Sequence, residues 1–74
     1  MYVKYGSSIM INKDLSIVVD AYQSEVEAYG MYTKMIKQAK NKELIKVLRH
    51  NRKEEKEHMK LLERVYNKLY GQTY

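Results

Sequence analysis

Three residues of the sequence carry metal-binding side chains at a spacing that lets them act together. Glu55 and His58 are three positions apart, so on a helix both project from the same side. Glu25 lies at the centre of an earlier apolar stripe, and Glu55 and His58 interrupt a second stripe in the same way. A buried carboxylate without a partner is costly, whereas a bound cation offsets that cost. The three residues therefore predict a divalent metal site.

An antiparallel pair of helices is needed to bring these residues together. Apolar and aromatic residues recur at alternating spacings of three and four over residues 12–39 and again over residues 41–70, which is typical of one helix face. With the turn near residue 40, Glu25 lies about fifteen residues before it and Glu55 about fifteen after it. The two carboxylates are therefore expected at the same height. The competing interpretation of Glu25 is a structural ion pair with a lysine or an arginine.

The ends of both helices can also be predicted. Asn12 and Asn41 are the expected N-caps, because an asparagine side chain accepts a hydrogen bond from the free N–H groups of the first helical turn. Gly71 is expected to end the second helix. Residues 1–11 lack a helical period and are predicted to form an irregular arm. Residues 1–74 are thus predicted to form a single all-α domain, an antiparallel two-helix hairpin.

Composition excludes several classes of protein. The chain has 74 residues, no cysteine and no proline, and it is 45% hydrophobic and 31% charged. It is too apolar for a disordered chain and too charged for a membrane span. The net charge is +5, but Lys and Arg are interleaved with Glu, so nucleic acid is not an expected partner. The sequence shows no secretory leader pattern, and the expected location is the cytoplasm.

A hairpin of two helices leaves much of its apolar surface uncovered, and a core this small rarely suffices below about 70–80 residues. We expect two copies to pair into a ferritin-like four-helix bundle. Ferritin-like di-iron sites take one Glu from each of two helices and a Glu-x-x-His pair from each of the other two. A two-fold dimer supplies that set, and its four carboxylates neutralise two divalent irons.

Five further residues have two interpretations each. His50, Glu54 and Glu57 share the outer face of the second helix, where they form either a solvated surface or a weak surface cation site. Tyr32 either packs in the core or serves the metal site, through a hydrogen bond to a ligand or as an electron relay. Asn51 either orients a ligand or fixes the register of the bundle.

Residues 43–58, which contain the string His-Asn-Arg-x-Glu-Glu-x-Glu-His, resemble the second helix of the encapsulated ferritins. These are two-helix ferritin-like proteins that are packaged inside encapsulin nanocompartments. The likeness continues through residues 61–63, and the first helix matches more weakly through residues 25–28 and Tyr32. It covers about residues 14–69 in all.

The resemblance implies a ferroxidase that oxidises Fe(II) with dioxygen at a dimer interface holding two irons. Glu25 and Glu55 would bind and bridge the irons, and His58 would be a terminal ligand. Glu27 is a candidate for delivering iron to the site. The resemblance also implies a ring of dimers inside an encapsulin shell in the cytoplasm, which passes ferric iron to the interior of the shell.

The sequence departs from the family pattern at three places. Met31 stands where the family usually has an aromatic residue, and Ser24 stands where it has an acidic residue of the iron uptake route. Glu27 keeps the acidic character of that route. Residues 68–74 do not resemble the shell-docking tail of the family, so the use of such a tail stays open.

Two other functions remain compatible with the same residues. One is a different di-metal carboxylate enzyme, such as a rubrerythrin-like peroxidase, which would turn over with peroxide rather than with dioxygen. The other is a non-enzymatic helical assembly module, whose polar core residues only fix partner and register. The metal content of the purified protein distinguishes the module from the two enzymes.

Overall fold

The computed structural model describes the backbone of residues 2–73 and the side chains of residues 13–71. It consists of two helices, α1 (Tyr2–Gln38) and α2 (Lys42–Thr73). Side-chain contacts join early α1 to late α2 and late α1 to early α2, so the helices run antiparallel. The prediction of an all-α two-helix hairpin is confirmed.

The turn between the helices is organised by Asn41. The backbone N–H of Leu44 donates a hydrogen bond to Oδ1 of Asn41 at 2.9 Å, and the N–H of Ile45 donates to the Asn41 carbonyl at 3.0 Å. The side chain of Asn41 therefore satisfies one of the N–H groups that a helix N-terminus leaves without an intrahelical partner, and its carbonyl accepts the first intrahelical hydrogen bond. The predicted role of Asn41 as the N-cap of the second helix is confirmed.

The outer helix ends differ from the sequence-based expectation. α1 begins at Tyr2, so residues 2–11 are helical rather than an irregular arm, and Asn12 lies inside the helix instead of capping it. No proline interrupts this segment, and extending a formed helix adds one hydrogen bond for each residue fixed. α2 likewise continues past Gly71 to Thr73. A glycine ends a helix by adopting positive φ, and no described glycine does so.

The hairpin is a thin rod with almost no interior. Its extents are 60 × 14 × 11 Å, and its radius of gyration is 17.2 Å, against about 11 Å for a globular chain of this length. Val18 and Leu48 are the only buried apolar side chains among those described, at 9% and 8% exposure. The same part of the chain exposes many large apolar side chains: Ile17, Val19, Val26, Met31, Leu44, Val47, Leu61, Val65, Tyr66 and Tyr70.

Neither helix, over the residues described, contains a stretch that is long and apolar enough to cross a membrane. The apolar surface is instead distributed as stripes along two amphipathic helices. Surface of this kind in a rod this thin is suited to packing against further helices.

Candidate metal centre

Glu25, Glu55 and His58 meet halfway along the hairpin. Each offers one ligand atom, and these atoms all lie within 4.8 Å of one another. Nδ1 of His58 is 3.4 Å from Oε2 of Glu25 and 3.9 Å from Oε2 of Glu55. Glu25 comes from α1 and the other two residues come from successive turns of α2. We refer to these three candidate ligands as the metal centre.

Within the described part of the chain, the two carboxylates of the metal centre have no lysine or arginine partner. Among the described ion pairs, Glu25 and Glu55 contact only His58. Both side chains are partly buried, with exposures of 25% and 19%, whereas the His58 side chain is 51% exposed. A structural ion pair between Glu25 and a lysine or arginine is therefore absent from the described residues. The carboxylate oxygens are left available to a cation.

His58 lies within an exposed apolar stripe of α2. Leu44, Val47, Leu61 and Val65 are all exposed, and they lie 14 and 11 residues before and 3 and 7 residues after His58. At 100° of rotation per residue, these separations place all four within about 60° of His58 on the helix circumference. We call these four residues the α2 apolar stripe. The metal centre therefore opens on a surface that favours contact with another protein surface.

Two helix-to-helix contacts flank the metal centre, and the sequence did not predict either. On the side away from the turn, the hydroxyl of Tyr22 donates a hydrogen bond to Oε1 of Glu63 at 3.0 Å. The hydrogen bond and the negative charge of Glu63 both raise the pKa of Tyr22, because they favour the neutral phenol. This pair forms part of the wall of an open groove, which is lined by Val18, Val19, Tyr22, Gln23, Leu62, Glu63, Tyr66 and Asn67.

On the side toward the turn, Arg52 of α2 contacts two residues of α1. Its Nη1 donates a hydrogen bond to Oγ1 of Thr33 at 3.2 Å, and its guanidinium carbon lies 5.4 Å from the centre of the Tyr29 ring. Oγ1 of Thr33 in turn donates to the carbonyl oxygen of Tyr29 at 3.0 Å. In the sequence, the position of Arg52 one helical turn before Glu55 places it beside the metal centre but does not indicate which partner it takes.

The predicted surface group on α2 does not come together as a three-ligand site. His50 pairs with Glu54, with Nε2 and Oε1 3.2 Å apart and exposures of 72% and 56%. Glu57 pairs with Lys60 at 3.9 Å instead. Within the described part of the chain, the metal centre is the only group of three or more His, Asp or Glu residues whose ligand atoms converge.

The remaining predicted residues make no hydrogen bond to the ligands of the metal centre among the hydrogen bonds described. Tyr32 and Asn51 are half-buried, and none of the described hydrogen bonds involves either side chain. Glu27 is exposed on α1, as are Ser24 and Met31. Their roles in iron delivery, ligand orientation or electron transfer stay predictions.

The family model described as EncFtn-like matches residues 9–68, which include the whole metal centre. The chain belongs to the EncFtn-like family. This confirms the resemblance to encapsulated ferritins and assigns the chain an iron-related function at the level of the family. No curated protein and no solved structure gives a significant match to this EncFtn-like chain.

The donor set of this EncFtn-like chain fits iron. Carboxylate oxygens and imidazole nitrogens are the ligands of non-haem iron in proteins, and the metal centre offers two of the first and one of the second. One hairpin supplies half of the ligands that ferritin-like di-iron sites use. The donor set is therefore chemically suited to iron.

Proposed function

We propose that the protein is a ferroxidase, which binds Fe(II) at the interface of a homodimer and oxidises it to Fe(III) with dioxygen. The observation that carries this proposal is the convergence of Glu25, Glu55 and His58, whose carboxylates pair with no lysine or arginine of the described residues. Membership of the EncFtn-like family supports it, because the family is ferritin-like. In this reaction iron is the substrate, and dioxygen accepts the electrons that Fe(II) loses.

Two features support the proposed dimer: the charge of the carboxylates and the exposed apolar surface around His58. A ferritin-like site that holds two Fe(II) ions carries four positive charges. The four carboxylates of two metal centres neutralise that charge, whereas the two carboxylates of one metal centre do not. His58 is half exposed beside the α2 apolar stripe, so a second copy placed there would cover apolar surface and complete the ligand set at once. Association driven by apolar burial and by shared metal is the usual route by which so small a chain becomes stable.

Each residue of the metal centre has a separate task in this proposal. Glu25 and Glu55 supply oxygens that can bridge two irons and offset their charge. His58 supplies a terminal nitrogen, and Nδ1 is the atom that faces both carboxylates. Glu27 is exposed on α1 and remains the candidate for delivering Fe(II), with Ser24 beside the site as a non-acidic departure from the family pattern.

The wider setting is proposed on the family alone. The name of the family implies association with an encapsulin shell, and we propose that dimers of this chain form a ring inside such a compartment in the cytoplasm. There the Fe(III) product would pass to the interior of the shell. A single thin hairpin encloses no volume in which mineral could be stored.

The protein is expected to consume dioxygen when Fe(II) is added, at a rate far above that of Fe(II) in buffer alone. Oxygen uptake and Fe(III) absorbance measure the reaction, and metal analysis of protein purified without chelator measures binding. A rubrerythrin-like peroxidase would instead turn over with hydrogen peroxide in preference to dioxygen. A protein that binds no iron and leaves the rate unchanged would be an assembly module, and the proposal would be rejected.

Glu25→Ala is expected to have opposite effects on the metal-free and the metal-loaded protein. Removing Glu25 relieves its repulsion with Glu55 in each metal-free hairpin, so the melting temperature of the metal-free protein should hold or rise. The metal-loaded protein loses a ligand and with it the stabilisation due to binding, which is on the order of 10 °C when metal is well above its Kd. Thermal melts of wild type and variant, each with and without Fe(II) under anaerobic conditions, give the four melting temperatures to be compared.

The sign of the metal-free result separates the two interpretations of Glu25. If Glu25 is a structural partner, its removal leaves a neighbouring charge unpaired and the metal-free variant melts well below wild type. Glu27→Ala is the matched control, because it removes an exposed carboxylate from the same helix. That variant should melt like wild type in both states.

A further inference from the structure

Among the described ion pairs, neither Glu25 nor Glu55 has a lysine or arginine partner. The chain has fourteen Lys and Arg against nine Asp and Glu, and a carboxylate on a helix can pair with a basic side chain at i±3 or i±4. Of the eight positions that stand in this relation to the two carboxylates, only Arg52 is a lysine or arginine. Arg52 is therefore the one lysine or arginine that helix spacing places beside Glu55.

Arg52 does not pair with Glu55, because residues of the opposite helix hold it. Side chains three positions apart on a helix have Cβ atoms about 5–6 Å apart, so an arginine side chain is long enough to reach that carboxylate. Instead Nη1 donates to the Thr33 hydroxyl at 3.2 Å, and the guanidinium lies over the Tyr29 ring at 5.4 Å. No ion pair between Arg52 and either carboxylate is formed in the described residues.

We infer that Arg52 is a positioning residue, which Tyr29 and Thr33 hold off the carboxylates of the metal centre so that their oxygens stay free for metal. The inference rests on the proposed metal site. A released Arg52 would form charge-assisted, bidentate hydrogen bonds to Glu55 and would compete directly with the metal. Held on α1, its charge remains one turn away, where it also ties the two helices together beside the metal centre.

Removing both contacts of Arg52 should weaken metal binding, and removing Arg52 as well should restore it. The variant Tyr29→Leu/Thr33→Val deletes the ring face and the hydroxyl, and we expect its affinity for Co(II) to fall about tenfold, the size of one charge-assisted pair. Adding Arg52→Gln removes the competitor, and the triple variant should recover most of the lost affinity. Co(II) is the probe because its visible absorption reports binding and it needs no dioxygen.

Recovery in the triple variant is a result that a purely structural role does not give. If Arg52 only ties the helices together, its removal adds damage and the triple variant binds no better than the double, which would overturn the inference. Tyr29→Phe/Thr33→Ser keeps a ring and a hydroxyl, so it should bind like wild type. Weak binding by this conservative variant would also count against the inference.

His58→Ala separates a failure of this inference from a failure of the proposed function. If wild type and His58→Ala bind Co(II) equally, the metal centre itself is wrong and both proposals fall. If His58→Ala loses binding while Tyr29→Leu/Thr33→Val keeps the wild-type affinity, the metal centre stands and only the positioning role of Arg52 is overturned. Circular dichroism of each variant establishes that the helices are retained.

Discussion

Glu55→Ala and His58→Ala are each expected to abolish rapid Fe(II) oxidation. Each change removes one of the three ligand atoms that converge within 4.8 Å, and in a two-fold dimer it removes that ligand twice. Mutating groups that merely orient metal ligands typically costs about 10- to 100-fold in affinity or activity, so losing the ligand itself should cost more than about 100-fold. Stopped-flow measurement of Fe(III) formation under air gives the rate.

The matched controls for this prediction are Glu54→Ala and His50→Ala. They remove the same two side-chain types from the same helix, at positions where the pair is exposed and lies outside the metal centre. A surface pair of this kind contributes little, so both control variants should oxidise Fe(II) at the wild-type rate. A full rate in Glu55→Ala would contradict its assignment as a ligand.

Metal is expected to drive association of the hairpin. Without metal, a dimer would concentrate four carboxylates at one interface, and their mutual repulsion opposes pairing. Bound Fe(II) neutralises them and is shared between two chains, so by mass action it favours the associated state. Light scattering coupled to size-exclusion chromatography, performed anaerobically, should give a larger mass with Fe(II) than without it.

The same measurement on His58→Ala is the control for metal-driven association. This variant lacks a ligand but retains the α2 apolar stripe, so its mass should respond much less to Fe(II) than that of wild type. An identical mass for wild type with and without iron, in a protein that binds iron, would mean that the metal site is not shared between chains. The interface would then have to be sought elsewhere on the rod.

The height at which Glu25 meets Glu55 and His58 could be predicted because a helix has a fixed rise. Once Asn41 marked the turn, counting residues in both directions along two straight helices placed the carboxylates opposite each other. The structure has the turn at Asn41 and brings the three residues together. With two straight helices and the turn fixed at Asn41, few other pairings of residues across the helices are possible.

The contacts beside the metal centre could not be predicted in the same way. Arg52 could pair with Glu55 on its own helix, but it donates a hydrogen bond to Thr33 on the other helix. Which partner it takes depends on its side-chain conformation and on the facing helix, and the hydrophobic periodicity of the sequence carries no information about either. The hydrogen bond of Tyr22 to Glu63 is of the same kind. The prediction of an irregular arm over residues 1–11 was wrong for another reason, because residues 2–11 extend an existing helix and need no apolar period to do so.

The near absence of an interior in the hairpin has a consequence for reaction order. Val18 and Leu48 are the only buried apolar side chains described, so a single chain has little stability of its own to draw on. Under the proposed dimer, both the fold and the complete ligand set depend on two chains meeting. Below the dissociation constant of the dimer, the total rate then rises with the square of chain concentration. Confining the chains in a small volume would raise the activity of each one without altering any residue.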